Sequence, residues 1–312
     1  MSGPITDQDA EPQRESCHPD PPEVELTESR SATVGEMTVR RALPRRARRT
    51  VGAWCFVDHI GPAAVTENQG IDIGPHPHIG LQTVTWLLSG EVLHHDSLGS
   101  EQVIRPGQLN LMTAGAGVVH AEEHTGSYRG DLHGVQLWVA QPGGTRNGDA
   151  AFEHHGELPQ VDLPGLDATV LVGEFGGVVS PARRDTDHVG VQLEFGAGTS
   201  ASIEMNPGFE YAVVVMDGSV SIEGSDITPG HLAYLGEGRG ECGFSTTEHT
   251  RALLIGGVPF EEPIIMWWNF VARTKDEVVE AQRAWMAEDP RFGSVNSFLP
   301  RIPVGTPPWV GI

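Results

Sequence analysis

At 312 residues with 38% hydrophobic content, the chain can form two ordinary domains or one large double-layered β domain. A formal charge of -22 excludes nucleic acid and anionic membranes as partners, because phosphate binding needs a basic footprint. The basic run 40–49 is the exception, read here as a segment that pairs with the acidic body. Thirty-nine glycines and 23 prolines favour short strands and tight turns over a helical protein. Cys17, Cys55 and Cys242 form an odd set without Cys-x-x-Cys spacing, which points to reduced thiols and a cytoplasmic chain. No apolar run approaches the roughly 18 residues of a membrane span, and the N-terminus lacks the pattern of a secretory signal.

Residues 1–30 are acidic, polar and Pro-rich, and the expectation is a disordered tail. An edge strand and the basic segment follow, then a buried strand over 51–59 that ends in a turn at Ile60-Gly61-Pro62. Residues 82–88 read as a strand, turned by Ser89-Gly90 into a hairpin with 91–96. Arg105-Pro106-Gly107 makes a second turn, 108–112 a further strand, and the loop 114–117 leads to His120. Val135, Leu137 and Val139 alternate with Gln136 and Trp138, the period of a half-buried strand.

Two short motifs carry the chemistry. His76 and His78 are two apart, so an extended strand points both imidazoles to one face, and His120 and Glu122 repeat the arrangement on a second strand. Two antiparallel strands inside a barrel bring three imidazoles and a carboxylate to one point. That donor set suits Fe, Mn, Ni, Cu or Zn, with room left for water or substrate. A single His-x-His pair on a surface loop is a weak signal; two pairs in β-type sequence with glycine turns form a coherent site. His59, His94, His95, His124 and His133 are read as exposed or hydrogen-bonded residues, some of which could orient a ligand from behind.

The second half repeats the plan. Leu88-Ser89-Gly90-Glu91-Val92 matches Met216-Asp217-Gly218-Ser219-Val220, and Ile104-Arg105-Pro106-Gly107 matches Ile227-Thr228-Pro229-Gly230. Counting from these turns sets Glu204 and Asn206 opposite His76 and His78, and Gly243 and Ser245 opposite His120 and Glu122. The second copy thus keeps the scaffold signals without the histidines. A capping box at Thr274 and Glu277 opens a helix to about residue 288, with Val278, Ala281, Gln282 and Trp285 on the face toward a barrel. The expected division is a tail 1–30, an N-terminal barrel 31–142, a linker 143–185, a C-terminal barrel with its closing helix 186–290, and a Pro-rich tail 291–312 whose Trp309 tucks into the body.

The segments 51–62, His76-Pro77-His78 and 112–122 resemble the pirin family of bicupins, and Pro259-Phe260 through Ile264 resembles that family's closing segment. The likeness spans roughly residues 35–290. It implies an all-β fold of two tandem cupin barrels, with one divalent metal in the first barrel held by His76, His78, His120 and Glu122, and a metal-free second barrel. Fe(II) is the foremost candidate, with Ni, Mn, Cu, Zn or Co as others. Gln82 departs from the general cupin pattern, which places a glutamate after the His pair. The resemblance further implies a quercetin 2,3-dioxygenase-like activity on a small flavonol-like substrate and O2, with Glu122 as the catalytic proton acceptor. The alternatives are an iron-dependent, redox-responsive regulator that binds a protein partner, and a structural bicupin.

Overall fold

The computed structural model describes residues 23–311. Eleven strands form a first copy: β1 (Glu25–Glu28), β2 (Arg30–Val34), β3 (Met37–Leu43), β4 (Trp54–Val65), β5 (Ile73–His78), β6 (Leu81–Ser89), β7 (Val92–Asp96), β8 (Glu101–Ile104), β9 (Leu109–Thr113), β10 (Val118–Glu123) and β11 (Gly130–Ala140). The second copy begins with β12 (Ala151–His155), β13 (Gln160–Leu163), β14 (Leu166–Val172) and the short pair β15 (Glu174–Phe175) and β16 (Val178–Val179). It continues with β17 (His188–Phe195), β18 (Ser200–Glu204), β19 (Glu210–Asp217), β20 (Val220–Ile222), β21 (Ser225–Ile227), β22 (His231–Gly236), β23 (Glu241–Ser245) and β24 (Thr250–Gly257).

Each copy closes a seven-stranded sheet over a four-stranded one. The large sheets run β12-β9-β6-β11-β4-β3-β2 and β1-β22-β19-β24-β17-β14-β13, and the small ones β5-β10-β7-β8 and β18-β23-β20-β21. The orders are equivalent strand for strand, except that the two copies exchange their first strands. β1 pairs with β22 of the second barrel, and β12 pairs with β9 of the first. A bare edge would leave a row of unpaired backbone groups, and the exchange covers one in each barrel. Residues 25–28 therefore belong to a sheet and not to a tail; the expected tail up to residue 22 lies outside the described residues. The expected linker 143–185 likewise contains strands of both large sheets, because its edge-strand alternation is interrupted by polar turns that look like linker in isolation.

The large sheets share a core. Trp54, Trp86 and Leu137 of the first pack with Val214, Leu253 and Ile255 of the second. Trp54 Nε1–H donates to the carbonyls of Val189 and Gly256, 3.0 and 3.2 Å away. Because β6 and β4 are covered on both faces, their burial is nearly continuous and not alternating. β4 also runs through the expected turn at Gly61-Pro62 to Val65, and the irregularity shows as a register shift between Leu132 and Gly134 on its partner β11. The expected hairpin at Ser89-Gly90 is a corner: β6 lies in the large sheet, whereas β7 crosses to the small one and pairs with β10 and β8.

Behind the barrels, β25 (Ile265–Trp267), β26 (Phe270–Ala272) and α1 (Lys275–Met286) close the first copy. Thr274 Oγ1 accepts the Glu277 N–H, as the capping pattern requires. The Glu277 carboxylate accepts from the Arg273 amide and pairs with Arg146. Val278, Ala281 and Trp285 pack on Val119, Phe270 and Val304, while Gln282 donates to the Val304 carbonyl. Trp309 lies 6.1 Å from Trp267, ring centre to ring centre. The basic run is tied down by acids, with Arg41 on Asp58 and Arg48 on Glu25.

Strand pairing corrects the alignment of the copies. Leu93 and His94 face Glu123 and Glu122, and their equivalents Ser221 and Ile222 face Ser245 and Phe244. The residues equivalent to His120 and Glu122 are thus Cys242 and Phe244, and pairing of β18 with β23 sets Ile203 and Met205 against His76 and His78. Counting from turns was off by one, and a slip of one residue on a strand exchanges its two faces. Ile203, Met205, Cys242 and Phe244 all belong to one continuous core in the second barrel. In the first barrel the interior divides into two separate apolar clusters. Removing the ring that knits the second core, Phe244→Ala, is expected to cost about 3–5 kcal/mol in urea unfolding; a loss below about 1 kcal/mol would show that this interior is not packed as described.

Candidate metal centre

The three histidines meet where β5 and β10 run antiparallel, with His120 opposite His76 and Val118 opposite His78. One ligand nitrogen from each of His76, His78 and His120 lies within 4.8 Å of the others. The Nε2 atoms of His78 and His120 stand 2.9 Å apart. His76 Nδ1–H donates to the Gly74 carbonyl at 2.8 Å, which leaves its Nε2 as a lone pair. A register shift follows at once, since Glu122 pairs with Ile73 and not with Gly74. Such a bulge re-aims side chains. Glu122 lines the same cavity as the histidines but stands outside the 4.8 Å set.

Burial sets the electrostatics. It pushes His76 down to about 4, the Gly74 carbonyl opposing in part. Burial and then the neighbouring histidines hold His78 and His120 well below the usual histidine range. All three imidazoles are therefore neutral at pH 7, the form that can donate a lone pair to a metal. Burial alone raises Glu122 to about 7, with no cation among the causes to offset it. A buried carboxyl without a counter-charge beside neutral imidazoles fits a divalent cation, and imidazole with carboxylate suits Fe, Ni, Zn or Cu.

The site opens into a cavity of about 360 Å3. Phe56 and Trp138 stack with ring centres 4.0 Å apart and form one wall, and the His78 ring meets Trp138 edge-on at 5.3 Å. Arg41 lies over Phe56 and binds Asp58 through two hydrogen bonds of 2.7 and 2.6 Å, making a polar end. Ile302 and Trp268 from the C-terminal segment complete the lining. The amide of Ile302 donates to the Pro75 carbonyl, so the tail expected over 291–312 is strapped along the histidine strand. Gly74 must be small here: a Cβ on it would meet the Pro300 carbonyl oxygen at 2.2 Å.

The comparisons with known proteins agree with this architecture. The Pirin family matches residues 36–139 and the Pirin C-terminal cupin domain matches 190–293. A Pseudomonas aeruginosa protein named "Putative quercetin 2,3-dioxygenase" is 43% identical over 283 residues, covering 90% of each chain. A Pirin-like protein of Caulobacter vibrioides is 36% identical, over 83% of this chain and 92% of its own. The chain belongs to the pirin family. A crystal structure of quercetin 2,3-dioxygenase from Acinetobacter baumannii is 44% identical and superposes with a TM-score of 0.89, over 91% of this chain and 96% of that one. The fold is accordingly a bicupin, all-β but for the closing helix.

Within this pirin, Gln82 is fully buried and is not among the residues lining the cavity, its Nε2 donating to Thr113 Oγ1 at 3.0 Å. The carboxyls that line the histidines' cavity are Glu122 and Asp58, and Asp58 is already paired with Arg41. Of the remaining histidines, His95 faces Glu123, and His124 pairs with Asp72. His59 and His133 meet through their Nε2 atoms at 2.8 Å. His94 is different, since its Nδ1 lies 3.4 Å from His120 Nδ1 and its Nε2 lies 3.1 Å from Asp96. The sequence shows only a polar hairpin there, and no spacing signal separates His94 from His95.

Burial also holds His59 at about 3 and His188 at about 4. With His76, His78 and His120, these five histidines stay neutral in the folded chain while the unfolded chain protonates them below about 6.5. Folding then releases protons, so stability is lost as pH falls from about 6.5 toward 4. Glu122 and Asp58, both raised by burial in the folded state, act in the opposite sense, Glu122 between about 4.5 and 7, but two carboxyls are outnumbered by five histidines. Urea midpoints of metal-free protein are therefore expected to climb from pH 4 to 6.5; a flat profile would contradict neutral buried imidazoles.

Proposed function

We propose that this pirin is a metal-dependent dioxygenase that cleaves a flavonol-like aromatic enol with O2. The observation that carries the reading is the juxtaposition of three neutral imidazoles, one buried carboxyl and an aromatic-walled cavity. Its volume, about 360 Å3, falls within the roughly 300–1,000 Å3 of small-molecule sites. The names of the Pseudomonas and Acinetobacter relatives support the substrate class. His76, His78 and His120 would hold the metal, with Glu122 as the fourth donor. When bound, a divalent metal supplies Lewis acidity that lowers the pKa of a ligated hydroxyl; Fe(II) is the foremost candidate.

The chain's own residues divide the remaining work. Phe56 and Trp138 present flat apolar surface to an aromatic ring, with edge-on or offset contacts favoured. Arg41, fixed by Asp58, offers N–H donors at the polar end to substrate oxygens. Glu122 takes the enolic proton: the substrate O–H breaks and the proton resides on the Glu122 carboxyl, which lines the same cavity as the histidines. Ile302 and Trp268 add apolar surface to the cavity wall. The net reaction consumes one O2 and releases CO from the opened ring.

Aerobic turnover of quercetin by Fe(II)- or Ni(II)-loaded protein, with CO measured in the headspace, tests this directly. His120→Ala is expected to lose stoichiometric metal and turnover while keeping a folded barrel by circular dichroism. Glu122→Gln is expected to lower kcat by about 10²–10⁴-fold. Full metal retention by His120→Ala, or no CO from the loaded wild type, would reject the reading.

A further inference from the structure

His94 and Asp96 lie on the small sheet behind His120. Asp96 is fully buried at its side chain and His94 is nearly so. Asp96 Oδ1 accepts the amides of Leu98 and Ser100 at 2.9 and 3.0 Å, which locks the carboxylate in the β7–β8 turn. Its Oδ2 lies 3.1 Å from His94 Nε2. A carboxylate only accepts, so His94 Nε2 carries the proton and His94 Nδ1 is left as an acceptor. Facing that acceptor at 3.4 Å is His120 Nδ1. Phe152 stacks on the other side of the His94 ring, 4.5 Å away, and holds its plane.

We propose that His94, oriented by Asp96, is a positioning residue that accepts the Nδ1–H of His120 and so keeps His120 Nε2 as a lone pair aimed at His76 and His78. The inference rests on the reading of those three histidines as metal ligands. A ligating imidazole must present one bare nitrogen, and the hydrogen bond at its other nitrogen decides which one. His76 meets that need through the Gly74 carbonyl; His120 meets it through the His94–Asp96 relay.

The second barrel supplies an internal control. The equivalents of His94, Asp96 and His120 are Ile222, Gly224 and Cys242, so relay and ligand are absent together. Val92 pairs with Ile104 but Val220 with Ile227, making the first hairpin five residues longer. That added length contains the Asp96 turn. Phe152 sits on β12, the strand that the second copy lends to the first barrel.

The test uses full-length protein labelled with 15N-histidine. Long-range 1H–15N spectra of metal-free wild type are expected to show His120 as the Nδ1–H tautomer. Zn(II), a diamagnetic probe, is then titrated against a competing chelator. His94→Phe keeps the stacking shape but removes both hydrogen bonds, and its Zn(II) affinity is expected to fall about 10–100-fold. His94→Gln can donate to Asp96 and accept from His120, so it is expected to bind close to wild type. An Nε2–H tautomer of His120, undiminished affinity in His94→Phe, or equal losses in both variants overturns the proposal. Should His94→Phe fail to fold, the wild-type tautomer and the His94→Gln affinity still decide it. A wild type that binds no Zn(II) would remove the metal reading instead, and the tautomer spectrum would still show whether the relay exists.

Discussion

Burying three imidazoles and a carboxyl inside a β barrel costs desolvation energy that the surrounding fold must offset. In the first barrel the polar group splits the interior into two apolar clusters; in the second, Ile203, Met205, Cys242 and Phe244 restore a single core. The two copies therefore differ where the chemistry lies and agree in strand order elsewhere. Stability for the polar interior comes from outside it: the core shared between the large sheets, the exchanged edge strands, and the closing helix packed against Val119.

The same arrangement sets the geometry. Antiparallel pairing of β5 and β10 brings the histidines together, and the shift at Glu122 turns the carboxyl into the cavity. The C-terminal segment then presses on Gly74 and reaches the cavity with Ile302. Sequence-distant parts of the chain thus define the space in which a substrate would sit, while the small sheet supplies the three histidines and Glu122.

Much of this was legible in local sequence. The 2-residue spacing of His76 with His78 and of His120 with Glu122 marked the inward face, and Thr274 with Glu277 marked the start of the helix. What escaped depended on pairing over long distances. A strand such as Glu25–Glu28 is too short and polar to announce itself, and becomes a strand only because β22 offers an open edge. Residues 143–185 read as a linker for the same reason. The turn-based alignment missed by one residue because the stretch from Ile203 to Gly218 is one residue longer than that from His76 to Gly90, and the stretch from Gly230 to Cys242 one shorter than that from Gly107 to His120; only pairing fixes which face a residue takes. His94 was indistinguishable from His95 in sequence; alternation on β7 places the first inside, behind His120, and the second beside Glu123.

The central claim is that one barrel can seat a cation and its twin cannot. Anomalous scattering from crystals grown with Co(II), recorded on both sides of the cobalt absorption edge, measures this directly. The account predicts one peak, bounded by His76, His78 and His120 and facing Glu122. A peak among Ile203, Met205, Cys242 and Phe244, or no peak at the histidines, would contradict it.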